Sequence, residues 1–465
     1  MGITTELSAF SAGITLDRLP RAVVDRARFL LLDLVGNIVR ARHDAESTAS
    51  FLAAARAMGM SGGAIGVFGD PDRYTPLGAA FLNGALGHSL DFDDTHAAGS
   101  LHPGAPVIPA AIAAGEMIGA SGADVLAAIV AGYEMTCRIA LALPAGEHYN
   151  RGFHPTATCG AFGAAAAAGR VFGFNTEQIA GALGTVLSQT AGSLEFLVNG
   201  AWTKRFQVGW AASNGLMAAS LVREGFKGAS EALEGPHGFM RAYAPNPTPA
   251  RAVQDLGTVF ELMHTAVKPY PSCRYGHASV DAALSLRAAN DLKPEEIESV
   301  MLGLPKAGML LIGQPAEKKR DPRNVVDGQF SGPFVVASAL ATGAMGWDSY
   351  RLLDDPRIRA LLPKISSEFD PEIEAEFPAN MSGKVTIRAR GRDFVQKVVV
   401  PKGEPDNFLT EGELRAKFAG LTDAVLGEAQ SSRLADAVLA INQTNNVAGL
   451  VPLSVPVAAV RLAGE

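Results

Sequence analysis

From residue 155 the chain reads PTATCGAFGAAAAAGRVFG. Two threonines and one late arginine are the only polar side chains in this run, and most of the others are no larger than a methyl group. A helix that is apolar nearly all round has to be surrounded by protein. Small side chains let its neighbours approach closely. PLGAAFLNGALGHSLDF, PGAPVIPAAIAAGEMIG, ADVLAAIVAGYEMTCRIALAL and VGWAASNGLMAASLVREG share this texture. LPRAVVDRARFLLLDLVGNIVRA sets Val23, Val24, Ala27, Leu30, Leu31 and Val35 at helical spacing. These segments predict a large bundle with central, covered helices. The chain is 48% hydrophobic and 19% charged, where ordinary domains carry about 25% charge. That surplus calls for a large core, an oligomer interface, or both.

Near residue 250 the texture changes. EEIESVMLGLP reads as a strand, and GKVTIRARGRDFVQKVVVP alternates on both sides of RGRD, as a β-hairpin does. RYGHASVDAALSLRAANDL and SGPFVVASALATGAM are helical. The expected fold is mainly α: a large all-helical domain over 1–265 and 405–465, and a smaller α+β lid domain over 266–404. A cleft between domains is a common ligand site. The apolar stretches are broken before about 18 residues, so no membrane span is expected. A net charge of −7 argues against a nucleic-acid binder, which carries a broad basic face. Three cysteines, Cys137, Cys159 and Cys273, cannot build a disulfide framework, and MGITTELSAF lacks the pattern of a secretory leader. A cytoplasmic protein is the expectation.

Eight of the nine histidines lie between His88 and His277. LDFDDTHAAGSLHP, residues 90–103, concentrates aspartates, a threonine and two histidines between apolar flanks. A helix through GHSLDFDDT would put His88, Asp91 and Thr95 on one face; the alternative is a solvated helix end. His102-Pro103 and His154-Pro155 each precede an apolar helix. Proline suits the first helical position, which places each histidine at a cap beside the positive end of the helix dipole, where a neutral imidazole is favoured. Lys204 and Arg205 interrupt an apolar region, and VKPYPSCRYGHASVD supplies Lys268, Arg274 and His277. These groups suit an anionic substrate. A metal held by Asp91, Asp94, His96 and His102 is an alternative, without standard ligand spacing. GMSGG at 59–63 follows a helix, where a nucleophile elbow follows a strand.

Five segments in order, GHSLDFDDTH…HPG, GFHPTATCGAFGAAAAAGRVFG, TKRFQVGWAASNGLMAA, KPYPSCRYGHASVDAAL and DGQFSGPFVVASAL, resemble the MmgE/PrpD family. That family includes 2-methylcitrate dehydratase, cis-aconitate decarboxylase and iminodisuccinate epimerase. The resemblance implies a homodimeric enzyme with a helical domain and an α+β lid, needing no metal or organic cofactor. It implies catalytic roles for Asp91, Thr95, His102, His154, Lys204 and His277, with Lys204, Arg205, Lys268 and Arg274 binding the substrate. The expected activity is a hydro-lyase of the 2-methylcitrate dehydratase type, in propionate catabolism, with decarboxylase or epimerase chemistry on a similar acid as the alternative. A non-catalytic carboxylate-binding protein is the reading outside enzymology. The chain departs from the family in three places. The gap from Thr95 to His102 is one residue longer than in the decarboxylase, Arg205 replaces a proline, and Gln207 stands where many members have histidine.

Overall fold

The computed structural model describes residues 2–457. The chain is mainly α and separates into two compact units, one running to Ala266 and resuming at Leu414, the other spanning Val267–Glu413.

The first unit is built on α1 (Arg21–Asp44), α2 (Pro76–Gly87), α3 (Gly104–Ile118), α4 (Gly122–Ala142), α5 (Pro155–Val171), α6 (Thr176–Val186) and α7 (Thr203–Arg223). α5 is the small-residue run that opened the analysis of the sequence. All of it except Arg170 is buried, and it packs on α3, α4, α6 and α7. The contact with α4 is close enough to require glycine on both helices. A Cβ at Gly163 would lie 1.8 Å from Thr136 Oγ1, and one at Gly132 would lie 2.8 Å from the Gly163 carbonyl oxygen.

α4 is long and apolar enough to cross a membrane, and 94% of its most apolar window is buried inside the protein. It tolerates charge there because the charges are satisfied internally. Arg138 Nε donates to Glu134 Oε2 at 2.8 Å, Glu134 Oε1 accepts from the Leu262 amide at 3.0 Å, and the rest of the Arg138 fork reaches the carbonyls of Gln254 and Val259. A buried ion pair of this kind is tolerated when its remaining polar atoms find partners. A short strand β1 (Thr95–His96) pairs antiparallel with β2 (Thr265–Ala266).

The second unit opens with α8 (His277–Asn290) and carries a four-stranded sheet of β3 (Ile297–Leu304), β4 (Ile365–Phe369), β5 (Gly383–Ala389) and β6 (Arg392–Val398) in the order β4-β3-β5-β6. β3 and β4 run parallel; the other neighbours are antiparallel. Arg390 and Gly391, at φ 54° and 69°, make the two-residue turn of the expected hairpin, both in the left-handed region that such a turn demands. α8 and α9 (Gly332–Thr342) pack together, and Val280 and Phe334 join Val300, Leu302, Val385 and Ile387 in one core.

α10 (Glu411–Leu426) and α11 (Glu428–Leu439) follow. Residues 405–413, expected with the helical domain, sit in the second unit. Local bonds hold them there: the Gly403 amide donates to the Asn407 carbonyl at 3.0 Å, Asn407 Nδ2 to the Val400 carbonyl at 2.9 Å, and Lys402 pairs with Glu413 at 2.8 Å.

Candidate active site

The stretch after α2 is not the helix its spacing predicts. α2 stops at Gly87, and Asp91 adopts a left-handed backbone at φ 52°, which a continuing helix cannot contain. The turn sends each acidic side chain to a different partner. Asp91 Oδ1 accepts from Lys204 Nζ at 2.7 Å. Asp93 Oδ2 accepts from His88 Nδ1 at 2.7 Å and lies 3.5 Å from His102 Nδ1. Asp94 accepts from the Tyr133 hydroxyl at 2.6 Å and from the Gly104 amide at 3.2 Å. Lys417, on α10, ties the same turn down by donating to the Phe92 carbonyl at 2.8 Å. The metal set of Asp91, Asp94, His96 and His102 is therefore dispersed over four separate partners.

Both His-Pro steps lie beside helix starts. His154 is the N-cap of α5, with Pro155 in the first position, as expected. For α3 the N-cap is Pro103 itself, so His102 stands one residue further out than expected. Its backbone amide donates to Thr156 Oγ1 at 3.1 Å, which joins the start of α3 to the first turn of α5. Three imidazoles consequently form a series. The His88 ring lies 4.6 Å from that of His102 and 6.2 Å from that of His154.

His154 makes no capping bond. Its Nδ1 instead lies 2.9 Å from Gln207 Oε1, and Gln207 Nε2 donates to the Ser193 carbonyl at 2.8 Å. The loop carrying Ser193 is fixed against the residues before α5. The His154 amide donates to the Gly192 carbonyl at 3.1 Å and the Leu194 amide to the Gly152 carbonyl at 2.8 Å. Gly192 has to be glycine, because a Cβ there would meet Ala157 Cβ at 2.8 Å and Gln207 Oε1 at 3.3 Å.

Electrostatics divides these groups. Burial pushes the His154 imidazole well below its ordinary range, with His88 and Lys204 acting in the same direction. Burial also pulls Lys204 down, but the charge and hydrogen bond of Asp91 outweigh it and the net shift is upward, so Lys204 stays cationic. Its side chain keeps 29% of its surface. Asp94 is raised to about 8 by burial and by the neighbouring Asp93; it is a structural acid that anchors the start of α3.

Other expected site residues are placed as follows. Thr95 lies in β1, and its Oγ1 is buried with no hydrogen-bond partner among the described residues. Arg205 reaches Ser47 Oγ at 3.2 Å. Lys268, Arg274 and His277 belong to the second unit. There Arg274 Nε donates to Glu404 at 2.7 Å in a two-point pair, so its guanidinium is engaged by the protein itself. His277 opens α8 with Nε2 3.2 Å from the Ser272 carbonyl.

Among the described residues, two sets of three ligand-type groups lie within 4.8 Å of one another: His88, Asp93 and His102, and His96, Glu261 and His264. In the second set the Gly99 amide donates to His96 Nδ1 at 3.1 Å. The lone pair is therefore on Nδ1, and the neutral ring carries its proton on Nε2, which faces Glu261 Oε2 at 3.2 Å. A proton bridges that pair. Burial pushes Glu261 up, yet the hydrogen bonds of His96 and His264 hold it at about 2.

Asp93 and Gln207 were not singled out as site residues from the sequence. Asp93 sits in the acidic stretch with the others, five residues from His88. Gln207 is one helical turn from Lys204 on α7; that spacing, and its place where many family members have histidine, were the available signals.

Comparison with known proteins fixes the lineage. The MmgE/PrpD N-terminal domain profile matches residues 5–252, and the C-terminal domain profile matches residues 270–443. The chain belongs to the MmgE/PrpD family. It is 26% identical to a cis-aconitate decarboxylase of Aspergillus terreus over 97% of this chain and 96% of that protein. A cis-aconitate decarboxylase-like protein of Aspergillus oryzae is 27% identical over 97% of each chain. Human cis-aconitate decarboxylase is 28% identical over 80% of this chain and 77% of its own length. The chain is thus a member of an enzyme family of lyase type.

Proposed function

We propose that this chain is a carboxy-lyase acting on cis-aconitate or a closely related tricarboxylic acid. The observation that carries the reading is the convergence of the His88–His102–His154 series with the Lys204–Asp91 pair. Loss of CO2 breaks a carbon–carbon bond and leaves its electron pair on carbon, conjugated with a remaining carboxylate. A proton must then be delivered to that carbanion, and positive charge must face the carboxylate as negative charge builds. An ammonium has three donors; Asp91 takes one, and Lys204 offers its charge to substrate. The histidines hold and move the proton. The names of the relatives support decarboxylation ahead of the dehydration first expected.

Hydro-lyase action on 2-methylcitrate is the second reading. Arg205 and the longer loop holding His96 favour it, because they distinguish this chain from the decarboxylase pattern. Dehydration needs the same groups, with a base removing the proton next to a carboxylate and an acid protonating the departing hydroxide. A homodimer is part of the proposal, supported by the exposed, stacked rings of Phe206 and Trp210 on α7; sedimentation velocity tests it.

The deciding experiment is proton NMR in D2O with cis-aconitate, citrate and 2-methylcitrate. Decarboxylation gives a product one carboxylate shorter with deuterium on carbon. Dehydration gives a new alkene from a hydroxy acid. Absence of reaction and of exchange with all three acids overturns the reading.

A further inference from the structure

The three histidines of the site are held by two chemically different partners. Asp93, a carboxylate, faces His88 and His102 through their Nδ1 atoms. Gln207, an amide, faces His154 through Nδ1. A carboxylate favours the imidazolium; an amide carries no charge and accepts or donates according to which end it presents.

The end that Gln207 presents is fixed by the backbone. The Ser193 carbonyl can only accept, so the amide NH2 must face it, at 2.8 Å. The amide oxygen is then turned to His154, and because that oxygen can only accept, His154 Nδ1 must carry the proton. The neutral ring has one proton, which leaves the lone pair on Nε2, the opposite edge. Ser193 itself cannot drift, since the bonds of residues 192 and 194 to residues 154 and 152 clamp it.

We infer that Gln207 is a positioning residue that locks His154 in the Nδ1–H tautomer and makes His154 Nε2 the proton-accepting atom of the site, opposite a carboxylate-held donor side at His102. The tautomer follows from geometry alone; its use as acceptor rests on the hydro-lyase reading, in which a base takes the proton next to a carboxylate, because loss of CO2 leaves a carbanion that needs a proton donor. An uncharged partner suits this role, because it sets the tautomer while its hydrogen bond favours the imidazolium less than a carboxylate would. The charged or titratable groups around His154 are His88, Lys204 and Asp91, and the ring of Phe196 closes another side at 5.4 Å.

Two measurements on the full-length chain test this separately. The first is long-range proton–nitrogen NMR of protein labelled with 15N-histidine, with His154 assigned by its loss in His154→Asn. The expected spectrum shows His154 protonated on Nδ1 at neutral pH, and Gln207→Met, which keeps the bulk and removes the acceptor, moves it toward Nε2–H. An Nε2–H tautomer in the parent protein, or no change in Gln207→Met, overturns the proposal. If Gln207→Met does not fold, Gln207→Glu takes its place: it retains an acceptor, so Nδ1–H persists and the ring titrates at higher pH, and an unmoved titration overturns the lock.

The second measurement is the pH profile of kcat/KM on whichever hydroxy acid is dehydrated. Gln207→Met is expected to lower kcat roughly tenfold or more with KM little changed. Gln207→Glu is expected to restore much of kcat and to move the ascending limb to higher pH, because a carboxylate favours the imidazolium and the base must be neutral to act. Equal loss in both variants with an unmoved limb makes Gln207 merely structural. If no hydroxy acid is dehydrated, the acceptor role fails, and if none of the acids reacts the lyase reading fails with it, while the tautomer experiment still decides the lock.

Discussion

The first unit contains two clusters of the same make-up, each two histidines around one carboxylate, and both draw residues from the stretch between His88 and His102. In the first, the His88 and Asp93 side chains are wholly buried and that of His102 is 14% exposed. In the second, the His96 side chain is 1% exposed, Glu261 14% and His264 56%. The chemistry of the residues is alike, and their surroundings differ. The Asp93 cluster abuts another imidazole, His154, and lies near the Lys204–Asp91 pair. The Glu261 cluster joins β1 to the turn before β2, and its inner histidine has its tautomer fixed by a backbone amide. Ligand-type residues in proximity therefore do not define a site; which nitrogen holds the proton, and what lies beyond it, does.

The comparison can be broken in several ways. The largest effect is expected from Lys204→Ala, which removes the cation beside the Asp93 cluster. Turnover should fall at least about a hundredfold while the melting curve keeps its cooperativity; activity that survives unchanged would strip Lys204 of an essential role. Asp93→Asn comes next. It exchanges a buried carboxylate for an amide opposite two histidines, and kcat should drop by roughly one to two orders of magnitude, with a loss of stability from the broken buried pair. A variant with full kcat would show that the first cluster is as structural as the second.

Asp94 offers a smaller test. Its folded pKa, about 8, lies above the unfolded value of 3.8. Between those values the native state holds a proton that the unfolded state has released, so stability falls as pH rises across that window. Asp94→Asn removes this contribution, and its melting temperature should depend less on pH from about 4 to about 8; an unaltered slope would place the acid elsewhere. The smallest effect is expected from His264→Ala. Its imidazole is mostly exposed, so stability should change by no more than about 1 kcal/mol and kcat should not change. Addition of zinc sharpens the contrast. A rise in melting temperature seen in the parent protein and lost in His264→Ala would make the second cluster a cation site after all.

Much of the architecture is legible in the residues because it rests on periodicity. α5 is apolar on every side and so must be central; GKVTIRA and RDFVQKV alternate and so must pair; prolines after His102 and His154 mark helix starts to within one residue. What spacing cannot reveal is a single left-handed residue. Asp91 turns the chain out of the helix that GHSLDFDDT suggests, and with that turn His88, Asp91 and Thr95 lose their common face. Gln207 was legible only as a departure from the family, and its role escaped for a different reason. Its significance depends on a carbonyl at Ser193 and a ring at His154, 53 residues away, and no local pattern joins those three.

The missing side chain at Gly192 has a consequence for anyone wishing to reshape this protein. The gap there serves as a spacing gauge between His154 and the Gln207 amide: even a methyl group would press on Ala157 and on the Gln207 oxygen. A library that varies residue 192 would displace Ala157 or Gln207 in every variant.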